Sequence, residues 1–218
     1  MNKVLINTYN EDIDKNAYLN WRLNYHDPLQ NMIVMADGYI TSIKVNVEAC
    51  LKNPYEKQAD ILIFPMLFSL NHGIELYLKA TCWALNILLG YKGSYKENHD
   101  IRNIWYTVKN KIKELGFDIT RPEDTFNDMA NRIEPYLDEL ASYLKTDILN
   151  DYFNNIDFSR YPMNNRKEYH FFANQFGNVT VDLEVLLSFA ESINHDLKCL
   201  STYYYSLVLE SWQEQADL

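Results

Sequence analysis

Apolar positions recur every three and four residues along most of this chain. Leu29, Met32, Ile33, Ala36, Ile40, Ile43, Val47, Cys50 and Leu51 mark one face of an amphipathic helix over about 29–52. Asp27-Pro28 supplies its start, an Asp cap followed by proline in the first turn. Gly38 is a soft point within it, and Asn53-Pro54 ends it. The next segment, about 57–90, is apolar nearly all round, from Ile61 and Phe64 through Leu70, Ile74 and Leu78 to Trp83 and Leu88. Such a pattern predicts the central, buried helix of a bundle. Pro65 is expected to kink it or to end a first piece near Phe64, and Gly90 to stop it.

His99-Asp100 opens a third helix to about Leu115, with Ile101, Ile104, Trp105, Val108 and Ile112 on one face. A fourth is expected from Glu123 or Asp124 to Leu144, interrupted at Pro135, with a short continuation at Thr146–Asn155. The last, about 180–212, carries Leu186, Phe189, Ile193, Leu197 and Tyr204 on its core face. Before it, 157–178 is rich in breakers and aromatics, and alternation around Glu168–Phe172 predicts a short hairpin or ordered loop. The expected organisation is an irregular segment at 1–27, with a short strand at Val4–Ile6 and Trp21 and Tyr25 as anchors. A single all-α helical-bundle domain follows at 28–212, and a fraying polar tail at 213–218.

Composition narrows the picture. With 6 Gly and 6 Pro in 218 residues, the chain has too few breakers for a many-turned β sandwich. Its 17 Tyr suit helix shoulders, where the ring packs and the hydroxyl stays hydrated. The net charge of −10 repels nucleic-acid phosphates and anionic lipid, which argues against duplex DNA as a default partner. Lys109, Lys111 and Lys113, with Lys92 and Lys96 upstream, read as solvated positions. Cys50, Cys82 and Cys199 are odd in number and widely spaced, as expected of thiols in a reducing cytoplasm. The first residues are too short and polar a stretch for a signal peptide, and the longest apolar run, Ile61 to Leu70, is about half a membrane span. The expectation is a soluble cytoplasmic protein that does not use a membrane.

The candidate chemistry centres on Asn71-His72-Gly73-Ile74-Glu75-Leu76-Tyr77-Leu78-Lys79, where a histidine, an acid and a lysine interrupt an apolar run. Spacings of three and four put His72, Glu75 and Lys79 on one stripe of a helix, with Glu75 and Lys79 in the favourable order for an ion pair. Charges in a central helix are costly unless paired, so the stripe is either a structural polar network or a site. His99 is a titratable group at a helix start. Arg160, in Asp157-Phe158-Ser159-Arg160-Tyr161-Pro162, and Arg166 and His170, in Arg166-Lys167-Glu168-Tyr169-His170, combine phosphate-binding and proton-transfer side chains in loops. No phosphate-cradling glycine loop, nucleophile elbow or metal-ligand spacing is present, so no cofactor and no metal are expected.

The string from Phe64 to Ala80 resembles the second helix of HEPN-domain proteins. His99-Asp100-Ile101-Arg102-Asn103-Ile104-Trp105 resembles the H-D-L-x-x-L-W start that often follows in such chains, and Phe158-Ser159-Arg160-Tyr161-Pro162 resembles an F-x-R-Y-P loop of some members. The resemblance runs in order over about residues 30–210. It implies a helical bundle, usually dimeric, of bacterial and phage conflict systems, in which many members are metal-independent RNases. Glu75 and Lys79 match an accompanying E-x-x-x-K pattern. The family's Arg–His signature leaves four to six residues between the two, whereas Arg166 to His170 leaves three and Arg160 to His170 nine.

The leading expectation is therefore a non-catalytic or degenerate HEPN-like module, a homodimer, that binds a protein, RNA or nucleotide. The alternative is a metal-independent endoribonuclease, with toxin or antiphage activity. In the alternative, His170, His72 or His99 transfers the proton, Arg166, Arg160 or Lys79 contacts phosphate, and Glu75 orients Lys79.

Overall fold

The computed structural model describes residues 9–19, 27–95, 99–116, 122–143, 167 and 178–216. Among them are five α-helices and no strand: α1 (Pro28–Lys52), α2 (Ala59–Leu88), α3 (Ile101–Glu114), α4 (Pro122–Tyr143) and α5 (Leu183–Ala216). The all-α bundle expected from the periodicity is what forms. The strand at Val4–Ile6, the anchors Trp21 and Tyr25, the helix at Thr146–Asn155 and the hairpin at Glu168–Phe172 lie outside the described residues.

Local chemistry sets the helix ends. Asp27 caps α1 by accepting from Gln30 N–H at 2.9 Å, with Pro28 at the first position, and it also accepts from the Tyr205 hydroxyl on α5. Asp100 caps α3 through Asn103 N–H at 3.0 Å. α2 ends in a Schellman turn: Gly90 N–H donates to Ile87 C=O and Tyr91 N–H to Asn86 C=O, with Gly90 at φ 71°.

At two prolines the helix does not end. α2 continues through Pro65 and α4 through Pro135. Both rings face solvent, where water can take the hydrogen bond that proline denies, and the buried Met66 and Leu70, and Ile133 and Leu137, hold each helix onto the core across the break. The polar end of α5 also remains helical, to Ala216 rather than about residue 212.

Partner residues give the topology. Asp37 and Ile40 of α1 meet Tyr77 and Gly73 of α2, so these helices run antiparallel. Asp27, Asp37 and Lys44 meet Tyr205, Lys198 and Glu191, so α5 is antiparallel to α1 as well. α2 packs on α1, α3 and α5 and supplies fully buried Leu70, Ile74, Tyr77, Leu78 and Leu85. α3 buries Ile101, Ile104, Trp105, Val108 and Ile112. Trp105 stacks on Phe126 of α4 at 5.5 Å, and its indole N–H donates to Glu134 at 2.9 Å.

By length and composition α2 is long and apolar enough to cross a membrane, which the shorter run Ile61 to Leu70 does not suggest. In this bundle α2 packs against α1, α3 and α5, and 44% of its most apolar window is buried.

Candidate functional site

Helical periodicity puts His72, Glu75 and Lys79 on one stripe, and the chain after α2 adds a fourth group. Glu75, 1% exposed, is the hub. Its Oε1 accepts from Lys79 Nζ at 2.6 Å and from His99 Nδ1 at 2.9 Å, and His72 Nδ1 lies 3.5 Å from Oε2. Lys79 is 8% exposed, His72 24% and His99 64%.

Burial by itself raises the pKa of the Glu75 carboxyl. Hydrogen bonds from His72 and Lys79 and the charges of Lys79 and His99 outweigh it and hold the group down at about 2, against an ordinary 4.5. An ionised carboxylate only accepts hydrogen bonds, so the His99 nitrogen facing it, Nδ1, carries the proton. Neutral His99 then keeps an unprotonated Nε2 on an exposed ring. A buried acid that fixes the tautomer of a histidine leaves it equipped to take or give a proton at Nε2.

Because the folded value lies below the unfolded one, Glu75 contributes stability that is fully present above about pH 4.5 and lost as pH falls towards about 2. The shift corresponds to roughly 3 kcal/mol. Urea unfolding across that window should show a steeper acid loss in the wild type than in Glu75→Gln; identical slopes would refute the assignment.

Aromatic rings enclose the cluster. His72 stacks on Phe68, with centroids 5.5 Å apart, and meets the edge of Tyr39 at 4.6 Å. The Lys79 ammonium lies 5.1 Å from the centre of the Tyr95 ring. Tyr95 in turn meets Trp83 edge-on at 6.2 Å. One turn before Glu75, Asn71 donates to Leu67 C=O and accepts from the Tyr136 hydroxyl of α4 at 2.8 Å, which joins a third helix to the same region.

Of the sequence candidates, His72, Glu75, Lys79 and His99 come together. Arg160, Arg166 and His170 lie outside the described residues. Lys79 is nearly buried with its ammonium on Glu75, a geometry that suits charge compensation better than the expected phosphate contact. Glu75 orients His99 as well as Lys79. Tyr39 and Phe68 were missed because rings inside a helical pattern look like packing until their neighbours are known, and Tyr95 because it falls in a segment between helices with no period to place it. Asn86 was legible in principle, since it continues the Glu75–Lys79 stripe at helical spacing.

A second polar cluster ties α1, α2 and α5 together. The Tyr77 hydroxyl donates to Asn194 at 3.0 Å, and Asn194 and Lys198 donate to Asp37 at 3.1 and 2.9 Å. Burial pushes the Tyr77 hydroxyl pKa far up, so it remains a donor. Every polar group there is matched within the cluster, as expected of a device that fixes how three helices pack.

Among the described residues no group of three or more His, Cys, Asp or Glu is arranged to hold a metal ion. His72 and His99 both turn Nδ1 towards Glu75, an arrangement of donors around an acceptor. No family model matches this chain, and no curated protein or solved structure matches it either.

Proposed function

We propose that this chain is a HEPN-like helical module that cleaves RNA without a metal ion, with His99 as the proton-transfer group. The observation that carries this reading is the convergence of His72, Lys79 and His99 on the buried carboxylate of Glu75. A histidine held through Nδ1 with an exposed ring is what 2′-hydroxyl activation requires. His99 Nε2 takes the 2′-OH proton, the oxygen attacks the adjacent phosphorus, the P–O5′ bond breaks and the 5′-oxygen takes a proton from solvent water, generating a 2′,3′-cyclic phosphate and a 5′-hydroxyl. The proposed setting is the cytoplasm of a bacterium or phage-infected cell, as a soluble homodimer in a defence or toxin–antitoxin system.

The second reading is a non-catalytic module of the same kind that binds a protein, RNA or nucleotide. The missing Arg–His spacing and the net charge of −10 favour it.

RNA cleavage by the purified wild type, beside His99→Ala, His72→Ala and His170→Ala, separates the two. With chelator present and folding checked by thermal melt, the wild type should cut and folded His99→Ala should lose about a hundredfold or more. No cleavage of varied RNAs by the wild type would overturn the catalytic reading and leave the binding module.

A further inference from the structure

Glu75 lies thirteen residues before the last residue of α2, Leu88. At 1.5 Å per residue that is about 20 Å back along the helix. His99 reaches Glu75 because the chain turns at Gly90, and the described residues beyond the turn, Gly93 to Tyr95 and His99, meet the face of α2 that precedes it. The contacts appear in reverse order. Asn86 Nδ2 donates to Ser94 C=O at 2.5 Å and lies 3.4 Å from Gly93 C=O. Tyr95 then meets Trp83 and Lys79, and His99 meets Glu75. Residues 75, 79, 83 and 86 form one stripe of α2.

We infer that Gly93, Ser94, Tyr95 and His99 belong to a strap laid antiparallel on that stripe, and that Asn86 is the positioning residue that sets its register and so delivers His99 to Glu75. This rests on the reading of His99 as the proton-transfer group.

Two features single out Asn86. It is 9% exposed, and its Oδ1 has no hydrogen-bond partner among the described residues. A buried unsatisfied acceptor is costly, typically ~1–3 kcal/mol. The amide sits there all the same with its donor on the strap. Chain length makes the anchor decisive. The eleven helical steps from Glu75 to Asn86 rise about 16 Å, and the five steps from Ser94 to His99 reach at most about 17 Å. Slippage of the Ser94 anchor by one residue would carry His99 by up to about 3 Å from Glu75.

The test is imidazole nitrogen NMR on the full chain at alkaline pH, with the His99 signals assigned by their absence in His99→Ala. Wild-type His99 should be the Nδ1–H tautomer. Asn86→Ala should shift it towards the Nε2–H form that unconstrained histidine prefers. Gly93→Ala gives a second, independent perturbation. Gly93 is exposed, its φ of 103° is strained for any side chain, and an added Cβ meets nothing within 4 Å, so only the strap's backbone is disturbed. If Asn86→Ala does not fold, Gly93→Ala decides. In RNA cleavage both variants should lower kcat about tenfold to a hundredfold with KM little changed. His99 held as Nδ1–H in both folded variants would overturn the strap. A tautomer shift in a protein whose wild type cuts no RNA would support the strap and overturn the RNase reading.

Discussion

Glu75→Ala is expected to be the most destabilising single substitution in the polar stripe. It leaves the Lys79 ammonium in a site 8% exposed to water with no counter-charge, and removes the acceptor of both His72 and His99. Breaking a buried pair from one side costs about 3–5 kcal/mol, because the remaining charge keeps its desolvation penalty. For a chain of this size that lowers the melting temperature by about 10 °C. Glu75→Leu combined with Lys79→Met removes both charges and should recover most of the loss, since a buried pair often contributes no more than apolar residues of similar volume. A loss below about 1 kcal/mol in Glu75→Ala would show that the pair is solvated and the hub is not a buried charge. The double variant would be stable without a positioned His99, which separates the fold's need for Glu75 from the site's need.

The second large effect is expected at Gly73. α1 and α2 approach so closely there that an added Cβ would lie 2.5 Å from Ile40 Cγ1 and 3.2 Å from the Ala36 carbonyl oxygen. Ile40 is buried and its Cγ1 sits on a β-branched centre, so it has little freedom to yield. Gly73→Ala should cost about 1–2 kcal/mol despite the better helix propensity of alanine, and Gly73→Leu about 3 kcal/mol or more. Gly38, in the middle of α1, gives the opposite sign. An added Cβ there meets nothing within 4 Å, so Gly38→Ala should stabilise by about 0.5–1 kcal/mol. Urea unfolding of the three variants tests the contrast. Equal signs for the two alanine variants would refute the close helix contact.

The same two glycines mark the limit of what local pattern conveys. Each is a lone glycine inside a helical pattern. Only the packing of α1 on α2 tells one that must stay small from one that is merely tolerated. Prolines teach the converse. Pro65 and Pro135 carry a local signal for a break, and burial of the residues beside them overrides it.

By itself the sequence determined the helices and most of their ends. Apolar spacing and side-chain caps such as Asp27 and Asp100 act within one or two turns, so their physics is written in neighbouring residues. It also determined that His72, Glu75 and Lys79 share a stripe, because helical geometry alone requires it. Tertiary structure decided what the stripe meets. It buried Glu75 to 1% exposure, brought His99 from 24 residues away onto its carboxylate, and set Tyr95 over Lys79. It also joined Asp37 to Asn194 across 157 residues. Such contacts depend on how the chain folds back upon itself. A carboxylate's pKa and a histidine's tautomer follow from desolvation and hydrogen bonding, which exist only once distant parts of the chain have met.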